Sequence, residues 1–415
     1  MRSPVGMRRR DGSTSPRGTW PAIHRRSSRL YHACLHASSI QVKHNTHTIM
    51  NTSSPLENTT TSPTPLVTPS FWEGRTVLVG GGTGFLGGWI VRKLLELDAK
   101  VIAIVRTPKP ESQFYLEKFD GRVQVEHGCV ADIDFVERIY QENPAISVFF
   151  HAAYGGDVNQ VLAKPLECFR STALSTWAIL DLLRQKHPTC ISVISSSDKA
   201  YGSQELPYRE SSPLSPRHPY EVAKACQDHC AQTYGKVYKM PVAVTRCGNY
   251  FGGFDFNFTR LIPGVMKDLA EGRTPALRSN GKFTRDFLYI EDAVDIQLML
   301  AERLAEDPSL YGEAFNFSYG LQIEVIDIVR RLAELTGEPI EPTVNDNIQV
   351  EIPHMHLSSD KAVEILDWKP RHNFDGGLKE SVRWYSDYFK ATCVAVAATA
   401  FTKLFHCSEA AIAII

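Results

Sequence analysis

The sequence predicts an α/β fold, a doubly wound parallel sheet with a smaller C-terminal lobe, and three observations carry that prediction. Short β-branched runs alternate with helix-periodic stretches from about residue 75 to residue 197. A glycine-rich turn stands between the first run and the first helix. The chain has 415 residues, 43% hydrophobic and 22% charged, enough for one or two domains with ample core.

The elements follow in order. "RTVLVG" reads as a strand, "GWIVRKLLELDA" as an amphipathic helix and "KVIAIVR" as a second strand, which together make a βαβ unit. "RVQVEHG", "ISVFFHAA" and "CISVISSS" are further strands, separated by the helices "DFVERIYQE" and "TWAILDLLRQ". This alternation requires parallel strands with helices on both faces, the Rossmann arrangement. Beyond Gly252 the order is less regular, with helices around 260–272, 292–305 and 323–336. We therefore divide the chain into a Rossmann domain over 71–250 and, mainly, a smaller lobe over 251–390, interleaved with the first.

Residues 1–70 differ in character. Nine basic residues from Arg2 to Lys43 face Asp11 alone before Glu57, and "NTSSPLENTTTSPTPLVTPS" has little to bury. That composition predicts disorder. Its Arg- and Ser-rich, acid-poor start also fits a mitochondrial targeting segment, whereas a natural start at Met50 would leave residues 1–49 outside the mature protein. Residues 391–415, with "ATCVAVAATAFTKLF", are read as a tail that packs as a helix or frays.

The net charge of −1 gives no nucleic-acid or membrane signal, and no run of about 18 apolar residues predicts a span. Nine dispersed cysteines argue for reduced thiols in the cytoplasm. Cys226, His229 and Cys230 share one helical stretch, but no second ligand pair accompanies them, and His354 and His356 stand equally alone; no metal site is expected.

The first strand runs into "GGGTGFLGG", where Gly81, Gly84 and Gly87 are spaced G-x-x-G-x-x-G. A strand before it and a helix after it are the context in which such a turn lets backbone approach a dinucleotide's diphosphate at a helix N-terminus. The second strand ends at Arg106, where a carboxylate would suit NAD and an arginine suits a 2′-phosphate, which favours NADP over NAD. Further along, "PYEVAK" sets Tyr220 and Lys224 four residues apart on one helix face. A cation beside a phenol lowers its pKa and equips it to exchange a proton at neutral pH.

Taken together, "GGTGFLG", "FFHAA", "SSSDKAYG", "PYEVAK", "TRCGNYFGG", "RDFLYIEDA" and "SSDKAVEILDWKP" resemble an extended short-chain dehydrogenase/reductase of the nucleotide-sugar epimerase/dehydratase family, over residues 71–390. The resemblance implies a bound NAD(P) touched by Gly81, Gly84, Phe85, Leu86, Gly87, Arg106, Val130, Ala152, Ala153, Tyr220 and Lys224. It implies a triad of Ser197, Tyr220 and Lys224. Asp198 and Lys199 then fall where the family's 4,6-dehydratases carry their elimination acid and base, and an Asp followed by Lys is similar to the CDP-glucose enzymes. The implied reaction is transient oxidation at C4, loss of water across C5 and C6, and reduction at C6. Lys199 would act as the base or as the group that stabilises the enolate; to act as base it must be neutral, its pKa depressed by nearby Lys224 and a partly dry site.

Asn249 and Arg285, with Arg260 as the weaker candidate, match positions that hold the substrate diphosphate. A CDP-glucose-like nucleotide sugar is favoured, with GDP-mannose as the second candidate; an epimerase or reductase on the same scaffold, or a non-catalytic regulator, are the alternatives. A homodimer is implied by family analogy. The chain departs from the family at Gly80, Cys129 and Thr172, where Thr, Asp and Asn are usual, and at Asp367, where Gly is usual.

Overall fold

The structure is a computed structural model that describes residues 66–154, 158–337, 339–346 and 351–412. Its centre is a seven-stranded, wholly parallel sheet: β1 (Thr76–Gly80), β2 (Lys100–Val105), β3 (Gln124–His127), β4 (Ile146–His151), β5 (Ile191–Ser195), β6 (Val242–Cys247) and β7 (Ala314–Phe317). The spatial order is β3-β2-β1-β4-β5-β6-β7, so the order reverses between β1 and β4. In this fold that reversal opens a crevice at the carboxyl ends of the strands.

The inner strands are buried on both faces, and their near-continuous apolar sequence follows from that. On one face pack α1 (Phe85–Glu96) and α6 (Ile290–Glu306), through Ile90, Leu94, Ile296 and Leu300. On the other lie α2 (Ile133–Glu142), α3 (Ser175–Lys186) and α4 (Pro219–Tyr238), through Val136, Ile139, Ile179, Leu183 and Ala231. The other helices of ten residues or more among the described residues are α5 (Leu261–Ala270), α7 (Val325–Thr336) and α8 (Phe374–Ile412). No helix of the described residues is long and apolar enough to cross a membrane.

Two sequence readings need correction. The leading segment assigned to 1–70 lies outside the described residues up to 65, but Leu66 to Ser70 are not loose. Val67 is buried, and Glu302 accepts from the Thr68 amide (2.9 Å) and the Trp72 indole (2.6 Å). Trp72 supplies the apolar surface that fastens this stretch to α6. No strand is read from the sequence over β6 or β7, although both complete the central sheet; the return of residues 314–317 to it is one form of the interleaving expected for 251–390. Asp367 sits at φ +50° as the cap of a short helix, a left-handed position where Asp is tolerated in place of Gly.

Candidate active site

The carboxyl ends of β1, β4 and β5, the start of α4 and the loop before α5 converge on one cluster. The turn after β1 is shaped by what it excludes. Gly81 holds φ +90°, and a Cβ there would come 2.9 Å from the Ala153 backbone. A Cβ on Gly87 would stand 2.1 Å from the Gly81 carbonyl oxygen. No side chain caps α1 at Gly84, which leaves the first amides of Phe85, Leu86 and Gly87 facing the turn. This cradle fits a dinucleotide diphosphate. Val130 is buried beside Gly80, the Ala152 amide donates to the Gly80 carbonyl (3.0 Å), and Arg106 is exposed at the end of β2.

The strand end "SSSDK" breaks into a tight 3-10 turn, Asp198–Tyr201. Ser197 caps it: its Oγ accepts from the Lys199 amide (3.2 Å) and donates to Asp198 Oδ1 (2.9 Å). Asp198 is buried, and its Oδ2 has no hydrogen-bond partner among the described residues. Lys199 Nζ reaches Asn249 Oδ1 (3.4 Å) and lies 4.0 Å from Asp198 Oδ1.

Helix α4 starts where it does because His218 Nδ1 accepts from the Tyr220 amide (3.2 Å) and Glu221 returns to the His218 amide (3.2 Å), with Pro219 in the first turn. That fixes Tyr220 in the first turn and Lys224 one turn later. The Tyr220 phenol stands close enough to Ser197 and Asp198 to feel both, so the structure brings Ser197, Asp198, Lys199 and Tyr220 together. Lys224 is buried and turns its ammonium to the Ser195 carbonyl (2.5 Å) and Gln227 Oε1 (3.0 Å). Burial lowers its pKa to about 8, with Cys168 and Asp228 opposing.

The expected lowering of the Tyr220 pKa by Lys224 is not found. Enclosure by protein pushes the phenol up, Tyr154 and Asp198 add to that, and the cation opposing it is Arg260. The reason is geometric: Lys224 turns two of its three donors to Ser195 and Gln227, while Arg260 is held beside Tyr154. Asp255 Oδ2 holds Arg260 (2.9 Å), and Arg260 donates to the Tyr154 hydroxyl (2.8 Å), whose ring meets that of Tyr220 edge-on at 6.0 Å.

Arg285 is already engaged within the protein. Its guanidinium is committed to the Thr284 and Pro353 carbonyls (2.9 Å each) and to Glu351. Asn249 Nδ2 donates to the Asp286 carbonyl (3.1 Å). Tyr154, Asp255 and Gln227 were missed in the sequence. Asp255 and Arg260 at i and i+5 in one loop gave a pairing signal, whereas Tyr154 and Gln227 gave none, because their partners are remote in sequence or undistinguished in type.

Residues 77–317 match the model of the NAD dependent epimerase/dehydratase family, more than half of the chain. The chain belongs to this family. As an epimerase/dehydratase it is an enzyme, and the fold and the motif order agree with that membership. It is 26% identical over 340 residues to dTDP-glucose 4,6-dehydratase 1 of Escherichia coli, covering 74% of this chain and 92% of that one. It is 25% identical over 342 residues to CDP-glucose 4,6-dehydratase of Salmonella typhimurium, covering 78% and 94%. Among solved structures, a dTDP-glucose 4,6-dehydratase of Streptomyces venezuelae with NAD bound superposes with a TM-score of 0.67 at 25% identity, covering 75% of this epimerase/dehydratase and 97% of that chain.

Proposed function

We propose that the chain is a nucleotide-sugar 4,6-dehydratase that forms a 4-keto-6-deoxy sugar, with a CDP-glucose-like substrate favoured over GDP-mannose. The observation that carries this reading is the buried Asp198 side chain, hydrogen-bonded to Ser197 at 2.9 Å with its second oxygen unpartnered among the described residues, next to Lys199. Epimerisation at C4 needs only the hydroxyl, phenol and lysine; an additional acid and base beside them suit elimination.

In this mechanism Ser197 orients the sugar 4-hydroxyl and Tyr220 takes its proton. NAD(P), when bound along the Gly81–Gly87 turn, would supply the redox chemistry at C4 and C6. Lys199 then removes the proton at C5, which the 4-keto group has made acidic, and Asp198, as the carboxylic acid, protonates the departing 6-hydroxyl, so that water leaves; Lys199 returns a proton to C5 as C6 is reduced. For Lys199 this requires a free amine, and its present partners, Asp198 and Asn249, are acceptors that the sugar would have to displace. Asn249 and Arg260 are read as diphosphate ligands, with Arg285 joining them by exchanging Glu351 for phosphate.

The exposed Arg106 favours NADP over NAD within this reading, which competition between the two cofactors for binding would test. Seven free cysteines among the described residues support a reducing compartment and hence the cytoplasm. A homodimer rests on family analogy. The decisive test is incubation with CDP-glucose, GDP-mannose, UDP-glucose and dTDP-glucose. A 4-keto-6-deoxy product supports dehydration; a C4 epimer would replace it with the epimerase reading.

A further inference from the structure

We infer that Gln227 is a positioning residue for Lys224, holding its ammonium from behind so that one N–H remains for the cofactor side of the pocket. An ammonium carries three N–H donors and no acceptor. Two are used within the protein, on the Ser195 carbonyl (2.5 Å) and on Gln227 Oε1 (3.0 Å). Lys224 and Gln227 are both buried, so neither exchanges these partners with bulk water.

The orientation of the Gln227 amide is dictated from both ends. Lys224 can only donate, so Oε1 must face it. At the other end Gln227 Nε2 meets Thr176 Oγ1 (2.9 Å), and that hydroxyl spends its own proton on the Thr172 carbonyl (2.7 Å). Thr176 Oγ1 can therefore only accept from the amide. Thr172 belongs to a π-helical turn, Arg170–Leu174, that runs directly into α3. The chain Lys224, Gln227, Thr176, Thr172 thus ties the ammonium to the neighbouring helix α3, whereas Ser195 ties it to β5. A lysine side chain with four rotatable bonds is held at its charged end rather than along its stem.

Other groups among the described residues also approach Lys224. Cys168 faces it from the helix Pro165–Phe169, Asp228 from α4, and His151 from the end of β4. The Tyr154 ring centroid lies 5.9 Å from Nζ. Asp228 is committed to Arg246 by two hydrogen bonds (2.7 and 2.8 Å), and His151 is buried and neutral. Gln227 is consequently the side-chain acceptor that holds the Lys224 charge, and exchanging it should move the pH at which that charge is lost.

The test is NADH binding, followed by fluorescence as a function of pH, in the full chain. It rests on the family's use of NAD and not on the dehydratase reading, so the failure of one is distinguishable from the failure of the other. Wild-type affinity is expected to fall as pH rises through the Lys224 titration. Gln227→Met, which keeps volume and removes the acceptor, should move that midpoint down by about one pH unit; Gln227→Glu should move it up by about one unit. Thr176→Val cuts only the far end of the tether and should lower the midpoint by less than Gln227→Met, which keeps the inference testable if Gln227→Met does not fold. Variants that fold and retain the wild-type midpoint, or Met and Glu variants that shift it in the same direction, would overturn it.

Discussion

The glycine turn after β1 and the cluster at the end of β5 lie on the same carboxyl edge of one sheet, but they are made of different material. The turn is nearly all backbone: Gly81 and Gly87 act by what they lack, because a Cβ at either would meet another main-chain atom within 3 Å. The cluster is nearly all side chain, gathered from β5, α4, the loop after β4 and the loop before α5. A backbone device is encoded in one short stretch and fails as a unit. A side-chain device is distributed, and its parts can fail separately.

The sharpest way to break this contrast is Tyr220→Phe. It removes one oxygen from the cluster and should lower turnover by about 10³-fold, in the range for loss of a positioned acid–base group, while NADH binding persists. Steady-state rates beside a fluorescence titration check both halves of that expectation. Asp198→Asn should lower dehydration by about 10²-fold, and oxidation at C4, followed as transient absorbance of the reduced cofactor, should survive. Retention of full dehydration would remove Asp198 from the mechanism.

On the other side, Gly87→Ala should behave as the turn does, all at once. Relief of the 2.1 Å contact with the Gly81 carbonyl demands backbone movement, at about 1–3 kcal/mol. NADH affinity should drop about 10-fold or more, and Tm should fall with it. A variant with normal affinity would show that the cradle is looser than its geometry.

The smallest expected effect is in pH dependence. His151 lies at the end of β4, beside both regions; burial, and then the Lys224 charge, lower its pKa from 6.5 to about 3. The unfolded chain therefore binds a proton between those values that the folded chain refuses. Stability should fall as pH drops from about 6.5 towards 3, and His151→Gln should flatten that part of the curve in denaturant titrations.

The two regions were also legible to different degrees. The glycine spacing, the strand before it and the helix after it are local and identified the turn, as the alternating periodicity identified the first five strands along the chain. "PVAVTRC" and "EAFNF" become strands because β5 and then β6 offer them an unpaired edge, a tertiary cause that no local period reports. In the cluster, Ser197, Asp198, Lys199 and Tyr220 were named from motifs and do meet. What the motifs did not give is which cation faces the phenol. Arg260 takes that place because Asp255 and Tyr154 hold it there, and Lys224 is drawn back by Ser195 and Gln227. Arg285 was named for phosphate, and its buried hydrogen bonds to carbonyl groups are invisible in the sequence.

The central claim is that the end of β5 adds an elimination pair to a redox triad. Its most direct test is turnover of the accepted nucleotide sugar in D2O, with the product examined by NMR. The account predicts a 4-keto-6-deoxy sugar with one deuterium at C5 in wild type, and loss of that deuterium incorporation in Lys199→Ala. A C4 epimer with protium retained at C5 would contradict it.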